Sequence, residues 1–86
     1  MKKLTYFDFT VSEIKGTKND VMLFQFEEII DRKTLIISIN HIKIFKKFTL
    51  SVSYNQEKVE WEDNIINLNL ALEKANIFYQ KYTNDK

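Results

Sequence analysis

The sequence predicts an α+β domain in which an antiparallel sheet of four to five strands packs against one C-terminal helix. Apolar and polar residues alternate over the first two thirds of the chain, as in strands with one buried face. From Glu62 onward apolar residues recur every three to four positions, as in an amphipathic helix. The predicted strands span about 4–14, 21–30, 34–39, 42–54 and 58–61, and the predicted helix spans about 63–82. The chain of 86 residues suits a single domain, 1–86, whose hairpins need no crossover helix.

The first two strands are predicted to form a hairpin. Phe7, Phe9 and Val11 alternate with polar residues in the first strand, and Phe24 and Phe26 do so in the second. The intervening segment GTKND contains the only glycine of the chain, followed by Asn and Asp, which tolerate positive φ angles. Two strand-like runs around such a segment are typical of a β-hairpin.

The third and fourth strands are divided where the apolar parity changes. Leu35, Ile37 and Ile39 are odd-numbered, whereas the apolar residues that follow are even-numbered. One extra residue exchanges the two faces of a strand, so a turn or a bulge is predicted at Asn40-His41. The sequence leaves both alternatives open.

The last strand and the helix follow from the same reasoning. Val59 and Trp61 share one strand face, and Asp63 is predicted to cap the start of the helix. The apolar stripe that we expect to face the sheet consists of Ile65, Leu68, Leu72, Ala75, Tyr79 and Tyr82.

Composition argues against most catalytic chemistry. The chain has no cysteine, one histidine (His41) and one glycine, so it lacks the residues for a disulfide framework, a multi-histidine metal site or a glycine-rich phosphate loop. We expect no catalytic residues, no metal and no cofactor. No run of about 20 apolar residues predicts a membrane span, and Asp8 interrupts the signal-peptide-like start, so we expect a cytoplasmic protein without membrane contact.

Surplus apolar residues favour a protein partner. Ile66, Leu70 and Ile77 form a second stripe on the predicted helix, with Phe78 on the opposite shoulder of its core face. Val21, Leu23 and Ile29, with Leu4 and Tyr6, likewise lie opposite the Phe-rich strand faces. Large exposed apolar patches usually mark interfaces, so we expect a partner protein, or a homodimer through the helix or a sheet face.

Acidic residues provide the polar part of this hypothesis. Glu27, Glu28 and Asp31 are predicted to contact a basic groove on a nucleic-acid enzyme by imitating phosphates. Lys, Asn and Ile, whose codons are AT-rich, are abundant, which indicates a low-GC bacterium, phage or plasmid. We therefore hypothesise a phage or mobile-element inhibitor of a host defence or nucleic-acid-processing protein.

The alternative is nucleic-acid binding. Overall charge is close to neutral, at +1, but residues 32–58 carry six cationic residues against Glu57 alone. Lys43, Phe45 and Lys47 share one strand face, with Lys46 beside them, and cations combined with an aromatic ring are used to bind single strands. The near absence of arginine, which is the usual base and phosphate ligand, counts against this alternative.

Overall fold

The computed structural model describes residues 3–15, 20–42 and 46–84. Its elements are a 3-10 turn at Tyr6–Asp8, the strands β1 Thr10–Lys15, β2 Asp20–Ile30, β3 Lys33–Ile42, β4 Lys47–Tyr54 and β5 Glu57–Ile65, and the helix α1 Leu68–Asn84. The five strands form one antiparallel sheet in chain order, and the helix packs on one face of it. This arrangement confirms the predicted α+β fold.

The core lies between the helix and the central strands. Leu35, Ile37 and Ile39 of β3 alternate inward, and the register pairs them with Tyr54, Val52 and Leu50 of β4. Ala71 and Ala75 of α1 are fully buried, and their small side chains let the helix approach the sheet closely. The core also contains the buried apolar residues Leu4, Phe9, Phe26, Ile30, Ile65 and Tyr79.

The first strand begins later than predicted, at Thr10 instead of about residue 4. Within the 3-10 turn, the Thr5 amide donates to Asp8 Oδ2 at 2.8 Å and the Asp8 amide donates to the Thr5 carbonyl at 3.0 Å. These local bonds replace a strand ladder. Phe7 is consequently fully exposed, and only Phe9 of the predicted apolar face reaches the core.

The prediction of a turn or bulge at Asn40-His41 is wrong. β3 continues through both residues in regular register with β2, and Ile42 then pairs with Lys47 of β4. The apolar residues change from odd to even numbers between the two strands because this register pairs odd-numbered residues of β3 with even-numbered residues of β4. The strand therefore needs no irregularity.

The last strand is longer than predicted, and the helix begins later in the sequence. β5 runs to Ile65, beyond the predicted end at 61, and it contains two register irregularities. α1 begins at Leu68 instead of 63, and Asn67 caps it, since the Leu70 amide donates to Asn67 Oδ1 at 2.8 Å. Asp63 therefore belongs to the strand, and its predicted capping role is wrong.

Candidate protein-binding surface

The helix leaves one face of the sheet uncovered, and we call this surface the open face. Strand registers place the following residues on it: Thr10, Ser12, Ile14, Val21, Leu23, Gln25, Glu27, Ile29, Thr34, Ile36, Ser38, Asn40, Ile42, Lys47, Thr49, Ser51, Ser53, Lys58 and Trp61. All of them are exposed or half-buried. The sequence-based prediction that Val21, Leu23 and Ile29 lie opposite the Phe-rich face is confirmed. The same prediction is wrong for Leu4, which is fully buried in the core, and Tyr6 lies in the 3-10 turn instead of a strand.

Apolar residues concentrate at one corner of the open face. Ile14 of β1, Val21 of β2 and Ile42 of β3 lie side by side in one row, and Leu23 lies in the next row. Ile14 remains 56% exposed in this row. A contiguous apolar row on the solvent side of a sheet is typical of a surface that a partner covers.

The middle of the open face is built from small hydroxyl residues. One row across all five strands reads Thr10, Gln25, Ser38, Ser51 and Trp61. Because serine projects less than glutamine or tryptophan, the row forms a shallow trough between β2 and β5. At one end of this trough is a concavity of about 280 Å³, which Ile42, Lys47, Thr49, Asp63 and Asn64 line.

Trp61 forms the β5 wall of the trough. Its side chain is 54% exposed, and Lys58 Nζ lies 5.2 Å from the centroid of its ring. The sequence analysis placed Trp61 with Val59 on one strand face but did not identify it as a surface residue. Alternation in the sequence does not show which face of the sheet a strand residue lies on. The register with β4, which pairs Trp61 with Ser51, places Trp61 on the open face.

The predicted helix stripe is only partly exposed. Ile77 is 65% exposed on α1, and Ile66 is 68% exposed but precedes the helix. Leu70 and Phe78 are half-buried and pack against the core. The structure therefore leaves two exposed isoleucines from the predicted set, and only Ile77 of these lies on the helix.

The predicted acidic cluster is divided between surfaces. Glu27 lies on the open face opposite Ile36, whereas Glu28 lies on the helix side and accepts hydrogen bonds from the Tyr79 hydroxyl at 3.1 and 3.0 Å. Asp31 lies in the β2–β3 turn with a φ of 52°. The three acids therefore do not form one surface with Ile66 and Ile77.

The Tyr79 hydroxyl is held in a buried, electronegative site. Burial raises the pKa of Tyr79 to about 12, and the hydrogen bond and negative charge of Glu28, together with the charge of Asp8, act in the same direction. Burial also raises the pKa of Tyr82, and Glu60 contributes to that rise. Both phenols face packed elements, which makes them structural groups of the core.

The predicted nucleic-acid residues are only partly described. Lys43 and Phe45 lie outside the described residues. Lys46 is exposed in the turn before β4, and Lys47 lies on the open face with its Nζ 3.4 Å from Asn64 Oδ1. Trp61 is the one aromatic residue that the described strands place on the open face. Of the predicted nucleic-acid residues that the structure describes, only Lys47 lies on the open face together with Trp61.

The other features to consider are the single histidine, metal-ligating side chains and membrane-spanning helices. His41 stacks on Phe48 with 4.2 Å between ring centroids, on the helix side of the sheet. Within residues 3–15, 20–42 and 46–84, no group of three histidine, aspartate or glutamate side chains could hold a metal ion. In the same part of the chain, no helix is long and apolar enough to cross a membrane.

Comparison with known proteins gives no assignment: no family model, curated protein or solved structure matches the chain.

Proposed function

We propose that the chain is a small non-enzymatic module that binds a partner protein through the open face. The observation that carries this proposal is the apolar row of Ile14, Val21 and Ile42 on the face of the sheet opposite α1, which packs on the central strands. The face spans about 19 Å across five strands and roughly 30 Å along them, or on the order of 500–600 Å². A standard interface buries about 800 Å² per partner, so the open face can supply most of one.

The shape of the open face favours an α-helix as the bound element. Gln25 on β2 stands three strand spacings, or about 14 Å, from Trp61 on β5, with Ser38 and Ser51 between them. An α-helix with its side chains is about 10–12 Å in diameter. The partner that we propose therefore presents an amphipathic helix whose apolar side contacts Leu23, Ile42 and Trp61.

The charges of the open face favour a protein over a nucleic acid. Lys47 and Lys58 on the face are balanced by Glu27 and by Asp63 beside it. Protein interfaces combine apolar area with polar side chains of both signs, as this face does, whereas nucleic-acid sites are strongly basic. Nucleic-acid binding through Lys43, Phe45, Lys46 and Lys47 remains the alternative function.

A narrower form of the proposal concerns the kind of partner. An inhibitor from a phage or mobile element would occupy a host protein surface and needs no catalytic group of its own. In this form Glu27 and Asp31 contact basic residues at the margin of the partner site, while Glu28 stays with Tyr79. Ile77 on α1 and Ile66 just before it are further exposed apolar positions, which fit a homodimer or a second partner contact.

The test is affinity capture from a lysate of the native host with matched variants. Leu23→Lys combined with Trp61→Glu places charge in the trough at two half-exposed or exposed positions, and we expect it to abolish capture of any protein that the wild type retains. Ile77→Glu, on the opposite side of the molecule, is the control, and it should capture normally. Equal capture by all three chains would exclude the open face, and loss only with Ile77→Glu would assign binding to the helix side.

Nuclease treatment separates the two functions. If a captured protein is still retained after nuclease treatment and is lost when Leu23→Lys is combined with Trp61→Glu, the result supports the proposed protein-binding module. Material that disappears with nuclease favours the alternative, and Lys43→Ala with Lys47→Ala should then weaken nucleic-acid binding and reduce its salt dependence, because fewer counterions are released.

A further inference from the structure

The two edges of the sheet are built differently. The β5 edge has register irregularities near Val59 and Asn64, and it carries Lys58 among several acidic residues. Bulges and charges of this kind are the usual protection of an edge strand against pairing with another chain. β1, at the other edge, pairs with β2 in regular register from Thr10 to Lys15.

β1 is also exposed on both of its faces. Each of its six residues is exposed, including Val11 on the helix side and Ile14 on the open face. In an antiparallel ladder, the backbone N–H and C=O groups of every second residue point away from the neighbouring strand. β1 thus presents the regular template that strand addition requires.

We propose that β1 pairs with β1 of a second copy of this chain, which gives a two-fold symmetric dimer with a continuous ten-stranded sheet. A two-fold axis perpendicular to the sheet makes an isologous contact, so one residue of β1 must lie opposite its own copy. This condition leaves few possible registers, and the chemistry of β1 distinguishes them.

Ser12 is the residue that we place on the axis. This register pairs Thr10 with Ile14 of the second copy and Val11 with Glu13, so five residues of each strand are paired without like charges opposite each other. A β-branched cross-strand pair such as Thr10 with Ile14 is favourable. Centring on Glu13 would put two carboxylates face to face, and centring on Ile14 would leave only three residues of β1 paired.

The dimer has a consequence for the open face. Both copies keep their helices on the same side, because the axis is perpendicular to the sheet, so the two open faces join into one surface of about twice the area. Strand pairing and partner binding are nonetheless separate claims, since dimerisation is measured on the purified chain without any partner.

Single-cysteine cross-linking tests the register, because the chain has no cysteine of its own. With Ser12 on the axis, its Cβ atoms lie about 4.5–5.5 Å apart, close to what a disulfide needs. In Thr10→Cys the two sulfurs are separated by roughly 13 Å along the strands. We expect Ser12→Cys to form a disulfide-linked dimer at least tenfold faster than Thr10→Cys. Equal rates, or fastest cross-linking at Glu13→Cys, would overturn the proposed register.

A charge pair on the axis gives an independent measurement. Ser12→Lys and Ser12→Glu each place like charges opposite each other, and we expect each alone to dimerise about two- to fivefold more weakly than an equimolar mixture of the two in sedimentation equilibrium. Thr10→Lys with Thr10→Glu is the control pair, since its charges do not meet across the axis. A wild type that stays monomeric up to about 1 mM would overturn the dimer, because even weak specific interfaces associate in that range. A mixture that dimerises no more strongly than its components would overturn the placement of Ser12 on the axis.

Discussion

At the scale of single residues, Tyr79 combines the apolar and polar parts of the core. Its ring packs edge-on against Phe26 with 5.5 Å between centroids, while its hydroxyl donates to the Glu28 carboxylate. The residue is 4% exposed, so its neutral phenol is strongly favoured over the charged form. Ionisation of Tyr79 should therefore couple to unfolding.

The pH dependence of stability tests this coupling. The pKa of Tyr79 is raised in the folded protein to about 12 from an ordinary 10, so its contribution is complete below pH 10 and is lost as the pH rises toward 12. We expect the wild type to lose about 2–3 kcal/mol more unfolding free energy than Tyr79→Phe over that interval. Urea denaturation at several pH values measures the difference, with Tyr6→Phe as control. Parallel curves for wild type and Tyr79→Phe would contradict the coupling.

At the scale of elements, two hairpin turns adopt left-handed backbone without glycine. Asp31 and Arg32 connect β2 to β3 with φ angles of 52° and 66°, and Asn55 and Gln56 connect β4 to β5 with φ angles of 55° and 68°. Two-residue turns with positive φ at both positions match the twist of the strands. Aspartate and asparagine tolerate this region, whereas arginine and glutamine carry a steric cost in it.

Replacing the second residue of a turn should therefore stabilise the protein. We expect Gln56→Gly to raise the unfolding free energy by about 0.5–1 kcal/mol, because glycine removes the Cβ clash at positive φ and this gain exceeds the entropy gained by the unfolded chain. Gln56→Ala retains the Cβ atom and should leave stability nearly unchanged. Urea denaturation compares the three chains, and equal effects of glycine and alanine would show that the turn is not strained at this position.

At the scale of the whole molecule, hydrogen bonds join the N-terminal segment to the C-terminal helix. Asn76 is 6% exposed, and its amide accepts from the Leu4 N–H at 2.7 Å and donates to the Leu4 carbonyl at 3.0 Å. Leu4 is fully buried beside it. On the other flank of the helix, Lys74 and Lys81 form ion pairs with Glu62 and Glu60 of β5. The N-terminal segment and β5 thus hold α1 from both sides.

Removal of the Asn76 side-chain amide should destabilise the contact between the N-terminal segment and α1. We expect Asn76→Ala to lower the unfolding free energy by about 2–3 kcal/mol, because it leaves the buried Leu4 N–H and carbonyl without their partner. Asn69→Ala removes only an exposed hydrogen bond, from the Tyr6 hydroxyl to Asn69 Oδ1, and should cost less than about 1 kcal/mol. Hydrogen exchange at the Leu4 amide should accelerate in Asn76→Ala, and unchanged protection there would contradict the role assigned to Asn76.

Several features could be predicted from local patterns because local physics determines them. Period-2 alternation identified β2, β3 and β4, and the change to a period of 3.6 identified α1. Phe7 shows where such patterns fail, since it alternates correctly but lies in a turn held by Thr5 and Asp8. The cap at Asn67 was missed because Asp63, an equally good capping residue, precedes it and belongs to a bulged strand.

The sequence by itself determined the elements, their order and the presence of more apolar side chains than one core can bury. Only the tertiary structure decided which of these side chains stay at the surface. Leu70 was expected on a second helix stripe and Phe78 on the opposite shoulder of the core face, and both pack against the core. Ile14, Val21 and Trp61 lie on the open face. The physical reason is that alternation fixes which residues share a face, whereas strand register and the placement of a single helix fix which face is covered.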